Sequence, residues 1–363
     1  MTKNSYSPLH IYTSSKPLFA FNTFLFSLNP IQSPKNTCFL KLIPYTFNQH
    51  FACTFFQPYF KMTSLLENHK VKLFLESFSS IGNSAERITP GYTPTKYEAL
   101  WLSLFEGRNE ALVFCAIAFI HHMIFYYGRY LPYYIADYIP SLQKYRLQPD
   151  KPTSNEKWWK CFKALLISQF FVQLPMMMIF FPAAKLVGFT LTVPFPPLKS
   201  VAIQCIIFLF VEDFYHYWAH RLMHNKYLYK RIHKVHHEYT APFGITAEYA
   251  HPLETIILGQ GTISGPILYT YLVEPVHIIT MLCWISVRLW QTIEAHCGYD
   301  FPWAMSHWFP LWNGADHHDY HHMAFVNNFS STFRYLDRIL GTDKAYQEYY
   351  KKRTDAWNSK KSN

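Results

Sequence analysis

No Asp, Glu, Lys or Arg interrupts the eighteen residues Ala111–Gly128 or the twenty-one residues Ala164–Ala184. As helices, runs of that length match a hydrocarbon core of about 30 Å. A buried helix of a soluble protein rarely stays uncharged for twenty residues, so both runs point to membrane integration. Three further apolar stretches follow. Ser200–Val211 stops at Glu212 and Asp213, Thr255–Val273 has nineteen residues, and Pro275–Val287 has thirteen and is divided from it by Glu274. The chain is therefore expected to be an all-α integral membrane protein with four or five membrane-spanning or re-entrant helices.

The loops carry an orientation signal. Seven Lys/Arg fall in 129–163 and five in 221–234, but only two in 185–199. Positive-inside alternation puts 129–163 and 216–254 in the cytosol and 185–199 across the membrane. The pair Thr255–Val273 and Pro275–Val287 then crosses an even number of times or dips in and returns.

Composition narrows the class. Charged residues are 15% of the 363, aromatic residues 19% and hydrophobic residues 50%, which excludes a disordered or coiled-coil chain. A mean hydropathy of −0.06 argues against a chain made only of membrane helices. The net charge of +10 first suggests nucleic acid, but the basic residues sit in loops and beside apolar runs without forming a patch, so no nucleic-acid partner is expected. The seven cysteines are odd in number and form no CxxC, so they are read as reduced thiols packed in core or membrane.

Histidine is the outlier, with fourteen of nineteen between His216 and His322. His220 and His224 form an HxxxH box, with His216 one turn earlier on the same helical stripe. His233, His236 and His237 form an HxxHH box, and His318, His321 and His322 form another, preceded by His317. In a helix, positions i, i+3 and i+4 share a face, so each HxxHH box offers three imidazoles in one direction. One ion needs three or four protein ligands, so eight box histidines suggest two ions with about four imidazoles each. Imidazole suits iron, zinc, copper and nickel, and ligand type alone does not choose among them. Glu212, Asp213, Asp316 and Asp319 stand close by as carboxylates able to accept the far N–H of a metal-bound histidine, or as helix caps. Isolated histidines (His10, His50, His69, His121, His122, His277 and His307) are assigned no role.

These boxes, in a basic multi-span chain, resemble the fatty acid hydroxylase/sterol desaturase superfamily of integral-membrane non-haem di-iron oxygenases. The segment from Glu212 to His224 (EDFYHYWAHRLMH) is similar to the first box of the sterol C-4 methyl oxidases. HKVHHE from His233, APFG from Ala241, AEYAHPLET from Ala247, EAHCGYD from Glu294, HHDYHHM from His317, STF from Ser331 and DRILGTD from Asp337 follow in that family's order. The resemblance runs from about residue 100 to 355. It implies a cytosolic helical cap carrying a histidine-rich di-iron site and oxidation of the 4α-methyl group of 4,4-dimethyl and 4-methyl sterols to the carboxylic acid with O₂. It further implies electrons from NADH or NADPH through cytochrome b5 and its reductase, sterol entering from the membrane lipid, and other C-4 demethylation enzymes acting next. It transfers the eight box histidines to the metal, with no catalytic residue beyond the metal ligands. It also implies one more histidine outside the boxes, for which His296 is the leading candidate and His251, His317 and His216 weaker ones.

Other readings share part of this pattern. A sterol C-5 desaturase or lipid hydroxylase has the same boxes, but the stretches around His251 and His296 argue against it. A metal transporter would carry its ligands inside spans or in low-complexity tracts. A fused cytochrome b5 enzyme would carry a His-Pro-Gly-Gly haem motif, which does not occur.

The remaining segments are organisational. Residues 1–61 hold five lysines and no acidic residue. They are read as a disordered leader or as lying outside the native chain, with Met62 favoured as its start. Residues 62–110 form a polar segment, 111–350 the catalytic domain, and 351–363 a flexible cytosolic tail. Its KKSN ending resembles a dilysine retrieval signal of the endoplasmic reticulum.

Overall fold

The structure, a computed structural model, describes residues 69–362. The leader 1–61, Met62 and Asn363 lie outside them. Among the described residues the chain is helical, and β structure is limited to isolated bridges. After α1 (His69–Ser77) comes α2 (Lys96–Phe105), started by a capping box in which Thr95 accepts from the Glu98 backbone and Glu98 accepts from that of Thr95.

The two long uncharged runs become α3 (Glu110–Ala136) and α4 (Asn155–Val187), the helices long and apolar enough to cross a membrane. Asn109 and Ser154 cap their first turns, and Gly188, at φ 109°, ends α4. Within α4 the turn Gln169–Gln173 widens to π geometry just before Pro175, which has no N–H to give. Their polarity is inverted relative to a helix in water. On α3, Ile120, Ile124, Phe125 and Ile135 face outward while His122 is buried; on α4, Phe170, Phe171 and Ile179 face outward while Gln169 and Gln173 are buried. That arrangement suits a lipid surround.

The third apolar stretch does not stop at Glu212. It is the first half of α5 (Leu198–Met223), which continues through the first histidine box. α6 (Pro252–Leu272) and α7 (Ile278–Ala295) correspond to the last two stretches, and α7 likewise runs past Val287 to Ala295. α5 packs on α6 and α7, and α3 on α4 and α7. Gly261 and Gly265 let α5 and α6 pack closely, since a Cβ at Gly261 would stand 2.8 Å from the Tyr215 ring and one at Gly265 3.1 Å from the Phe208 Cα.

The last elements are α8 (Ala315–Ala324), α9 (Tyr335–Leu340) and α10 (Lys344–Ser362). The stretch after Tyr350 continues the helix α10 to Ser362. Cys115, Cys161, Cys205 and Cys297 are buried free thiols, and Cys283 is exposed.

Candidate metal centre

The three boxes reach the centre on different local structures. His220 lies in the last turn of α5 and His224 caps it. The second box is not the regular helix its spacing suggests. His233 ends a π turn, Tyr229–His233, and His236 and His237 begin a 3-10 turn, His236–Glu238. The third box is helical, within α8. His296 caps the C-terminus of α7. Two residues on, Gly298 turns the chain at φ +75°, where a Cβ would stand 2.8 Å from the Pro242 carbonyl oxygen.

The nine histidines gather into two clusters. His220, His224, His233, His237 and His321 form one, and His236, His296, His318 and His322 the other; within each, the ligand nitrogens lie within 4.8 Å of one another. Each HxxHH box is therefore split. Its i, i+4 pair goes to one cluster and its remaining histidine to the other: His233 and His237 against His236, and His318 and His322 against His321. The clusters adjoin, with the His237 and His322 rings 4.8 Å apart between centroids. All but His224 are buried.

Hydrogen bonds decide which nitrogens are free. The Nδ1 of His220 faces the Phe329 carbonyl at 2.9 Å, that of His236 the Tyr249 carbonyl at 3.1 Å, that of His296 the Thr292 carbonyl at 2.7 Å and that of His321 the Asn327 carbonyl at 2.5 Å. A carbonyl only accepts, so these Nδ1 atoms carry the protons and the Nε2 atoms present lone pairs. Glu254 Oε1, 2.7 Å from His233 Nδ1, sets the same tautomer there. The free nitrogens then confront one another: His220 Nε2 and His233 Nε2 at 3.1 Å, His236 Nε2 and His296 Nε2 at 3.3 Å.

Lone pair against lone pair is repulsive unless a cation sits between. Protons do not serve as that cation. Burial pushes His224 and His236 down to about 4, and burial followed by the neighbouring imidazoles pushes His233, His237, His321 and His322 well below the ordinary range. Two nitrogens bound at 2.0–2.1 Å from one ion stand at most about 4.2 Å apart. Donors already within 4.8 Å need shifts of only tenths of an ångström to close on one. The donor set therefore fits a pair of transition-metal ions.

The loop after α8 supplies two of the positioning carbonyls. It reverses through Phe325 and Asn328, both left-handed at φ 65° and 59°. A Phe in that region is strained, and the reversal made there brings the Asn327 and Phe329 carbonyls against His321 and His220.

The weaker candidates stand elsewhere. His216 lies 3.4 Å from Glu212 and borders the first cluster without joining it. His251 caps α6, accepting from the Leu253 N–H. His317 is buried against Tyr346, 3.8 Å from Asp337. Nor do the four carboxylates hold the cluster imidazoles. Glu212 pairs with Arg288 at 3.0 Å, Asp213 accepts the Thr332 and Phe333 N–H groups, Asp316 accepts from Arg334 and Tyr346, and Asp319 accepts from Gln148. The carboxylate on a cluster histidine is Glu254, which the sequence reading missed. Its only signal was an acidic residue in the first turn of the helix after His251-Pro252.

A cavity of about 730 Å³ opens onto both clusters. His220 and His233 line it from one and His236, His296 and His318 from the other, while Phe114, Met176, Phe180 and Ile263 supply apolar wall from the long helices. His121 and His122, assigned no role from the sequence, also line it.

Residues 205–342 match the fatty acid hydroxylase family, a span that contains both clusters and Glu254. The chain is 44% identical over 260 residues to the C-4 methylsterol oxidase erg25 of Schizosaccharomyces pombe, covering 71% of this chain and 87% of that protein. The chain belongs to the methylsterol monooxygenase family. A putative methylsterol monooxygenase of Dictyostelium discoideum is 44% identical over 71% of this chain and 95% of its own length. Methylsterol monooxygenase erg25A of Aspergillus fumigatus is 44% identical over 71% and 87%. No solved structure matches the chain. The methylsterol monooxygenase alignment thus extends well beyond the fatty acid hydroxylase span, which excludes α3 and α4.

Proposed function

We propose that this chain is a 4-methylsterol monooxygenase that holds two iron ions on its nine clustered histidines and oxidises the sterol 4α-methyl group towards the carboxylic acid with O₂. The observation that carries this reading is a pair of adjoining histidine clusters lining a largely apolar cavity, in a chain aligned with 87% of the length of a C-4 methylsterol oxidase. When bound, iron supplies the redox chemistry needed to break the C–H bond of an unactivated methyl group, which side-chain acids and bases cannot do.

The protein's own residues bind and orient. The cavity falls within the range of about 300–1,000 Å³ usual for small-molecule sites, and its apolar wall suits a sterol skeleton arriving from lipid. Glu254 and the four carbonyls fix the ring orientations. Each hydroxylation consumes one O₂, two electrons and two protons and releases water. The electrons come from NADH or NADPH through cytochrome b5 and its reductase, and other C-4 demethylation enzymes take the product. The uncharged α3 and α4 with the apolar α5, α6 and α7 support four or five spanning or re-entrant helices, the lysine-rich loops support a cytosolic centre and C-terminus, and the sterol reading supports residence in the endoplasmic reticulum. The metal-transport reading finds no support in the clusters, which lie on α5, α7, α8 and connecting turns, outside α3 and α4.

Membranes containing the protein, given a 4,4-dimethylsterol, NADH and ¹⁸O₂, are expected to form a 4-oxidised sterol carrying ¹⁸O; a sterol recovered unlabelled and unchanged contradicts the reading. Glu254→Ala is expected to weaken metal affinity about 10–100-fold, the usual scale for a carboxylate behind a metal-bound histidine. Competition with a chelator measures it, and wild-type affinity in the variant denies Glu254 that role.

A further inference from the structure

The skeleton of a sterol is apolar apart from its 3-hydroxyl, on the carbon next to the one bearing the 4-methyl group. A substrate bound with that methyl at the histidine clusters therefore brings the hydroxyl to the same end of the cavity. A hydroxyl buried there without a partner is costly, so the wall must offer one.

Among the polar side chains that line the cavity outside the two clusters are two groups. His122, Gln173 and Glu248 form the first: Glu248 Oε2 lies 3.2 Å from His122 Nε2 and accepts from Gln173 at 2.9 Å, and the Gln173 Oε1 acceptor is left without a partner among the described residues. The second contains His216 and Arg288. His216 stands beside the metal end, its ring 5.3 Å from that of His220. Its Nδ1 lies 3.4 Å from Glu212 Oε1, an anion that favours the proton on Nδ1. That leaves Nε2 as an acceptor, and no hydrogen bond among the described residues engages it. Arg288, 9% exposed, is held by Glu212 and Gln291 through its terminal nitrogens, while its buried Nε has no partner among the described residues. Glu212 thus anchors an acceptor and a donor together, the complement of an alcohol that donates one hydrogen bond and accepts another.

We infer that His216, with Arg288, binds the sterol 3-hydroxyl and so selects 3-hydroxy substrates and sets which methyl group reaches the clusters. This rests on the sterol reading above. The test compares kcat/KM for a 4-methylsterol and its 3-deoxy analogue, with iron content measured in parallel. The wild-type protein is expected to prefer the hydroxylated sterol by about 10–100-fold, the worth of a charge-supported hydrogen bond in a dry site. His216→Phe is expected to bring that ratio close to one with iron retained, and His216→Gln, whose amide oxygen accepts, to keep part of the preference. Equal use of both sterols by the wild type, or an unaltered preference in His216→Phe, overturns the assignment. Loss of iron from both variants makes His216 a metal ligand and overturns it too. A wild-type protein that oxidises neither sterol contradicts the sterol reading itself, and this inference with it. Equilibrium binding of the two sterols to the wild type and His216→Gln gives the same discrimination if His216→Phe does not accumulate.

Discussion

Replacing His321 by alanine is expected to reduce sterol turnover by more than about 1,000-fold, beyond the 10–100-fold scale of losing an outer-shell partner. His321 is fully buried, its Nδ1 is fixed by the Asn327 carbonyl, and its ring lies 4.5 Å from that of His220 and 4.8 Å from those of His224 and His237. It comes from the third box, whereas the other four donors of its cluster come from the first two. Its loss therefore removes the tie between α8 and that cluster. His236→Ala should do the same to the second cluster, where His236 is the donor from the second box. Neither residue touches the lipid-facing sides of α3 and α4, so both variants should remain in the membrane fraction. Turnover by washed membranes, normalised to the amount of protein, measures the effect; full activity in either variant would remove that residue from the centre.

Turnover should also depend on a donor protein. Each oxidation needs two electrons, and the chain has neither a haem-binding His-Pro-Gly-Gly motif nor a glycine fingerprint for flavin or nicotinamide. Purified protein with NADH alone is expected to show less than about one-hundredth of the rate seen when cytochrome b5 and its reductase are added, since no side chain accepts a hydride. Substantial NADH-driven turnover without a donor protein would contradict this.

How far the sequence could be read depended on what a charge means at each place. α3 and α4 were visible because nothing charged interrupts them. α5 and α7 were cut short, at Val211 and Val287, because a charged residue follows each run. Those residues, Glu212 and Arg288, are paired with each other at 3.0 Å across the two helices, so neither needs solvent and neither helix ends there. The partnership is invisible along the chain because its halves are far apart in sequence. The histidine boxes announced that these imidazoles gather, but the division of each HxxHH box between two clusters was not visible. An ideal helix sends positions i, i+3 and i+4 one way. The π turn before His233 and the 3-10 turn at His236 rotate the second box, while in the third, on the regular helix α8, the neighbours His321 and His322 diverge by about 100° and so reach different clusters. Glu254 was missed for a related reason: it meets His233 from twenty-one residues away, brought there by the start of α6. The nearer carboxylates proved to be occupied by backbone N–H groups, arginines and a glutamine.

Two adjoining histidine clusters call for two ions, and counting metal tests this most directly. Purified, catalytically active protein analysed by elemental mass spectrometry is expected to contain two iron atoms per chain, rising and falling with sterol turnover as iron is removed by a chelator and restored. A single ion per active chain, or full activity with zinc in place of iron, would contradict it.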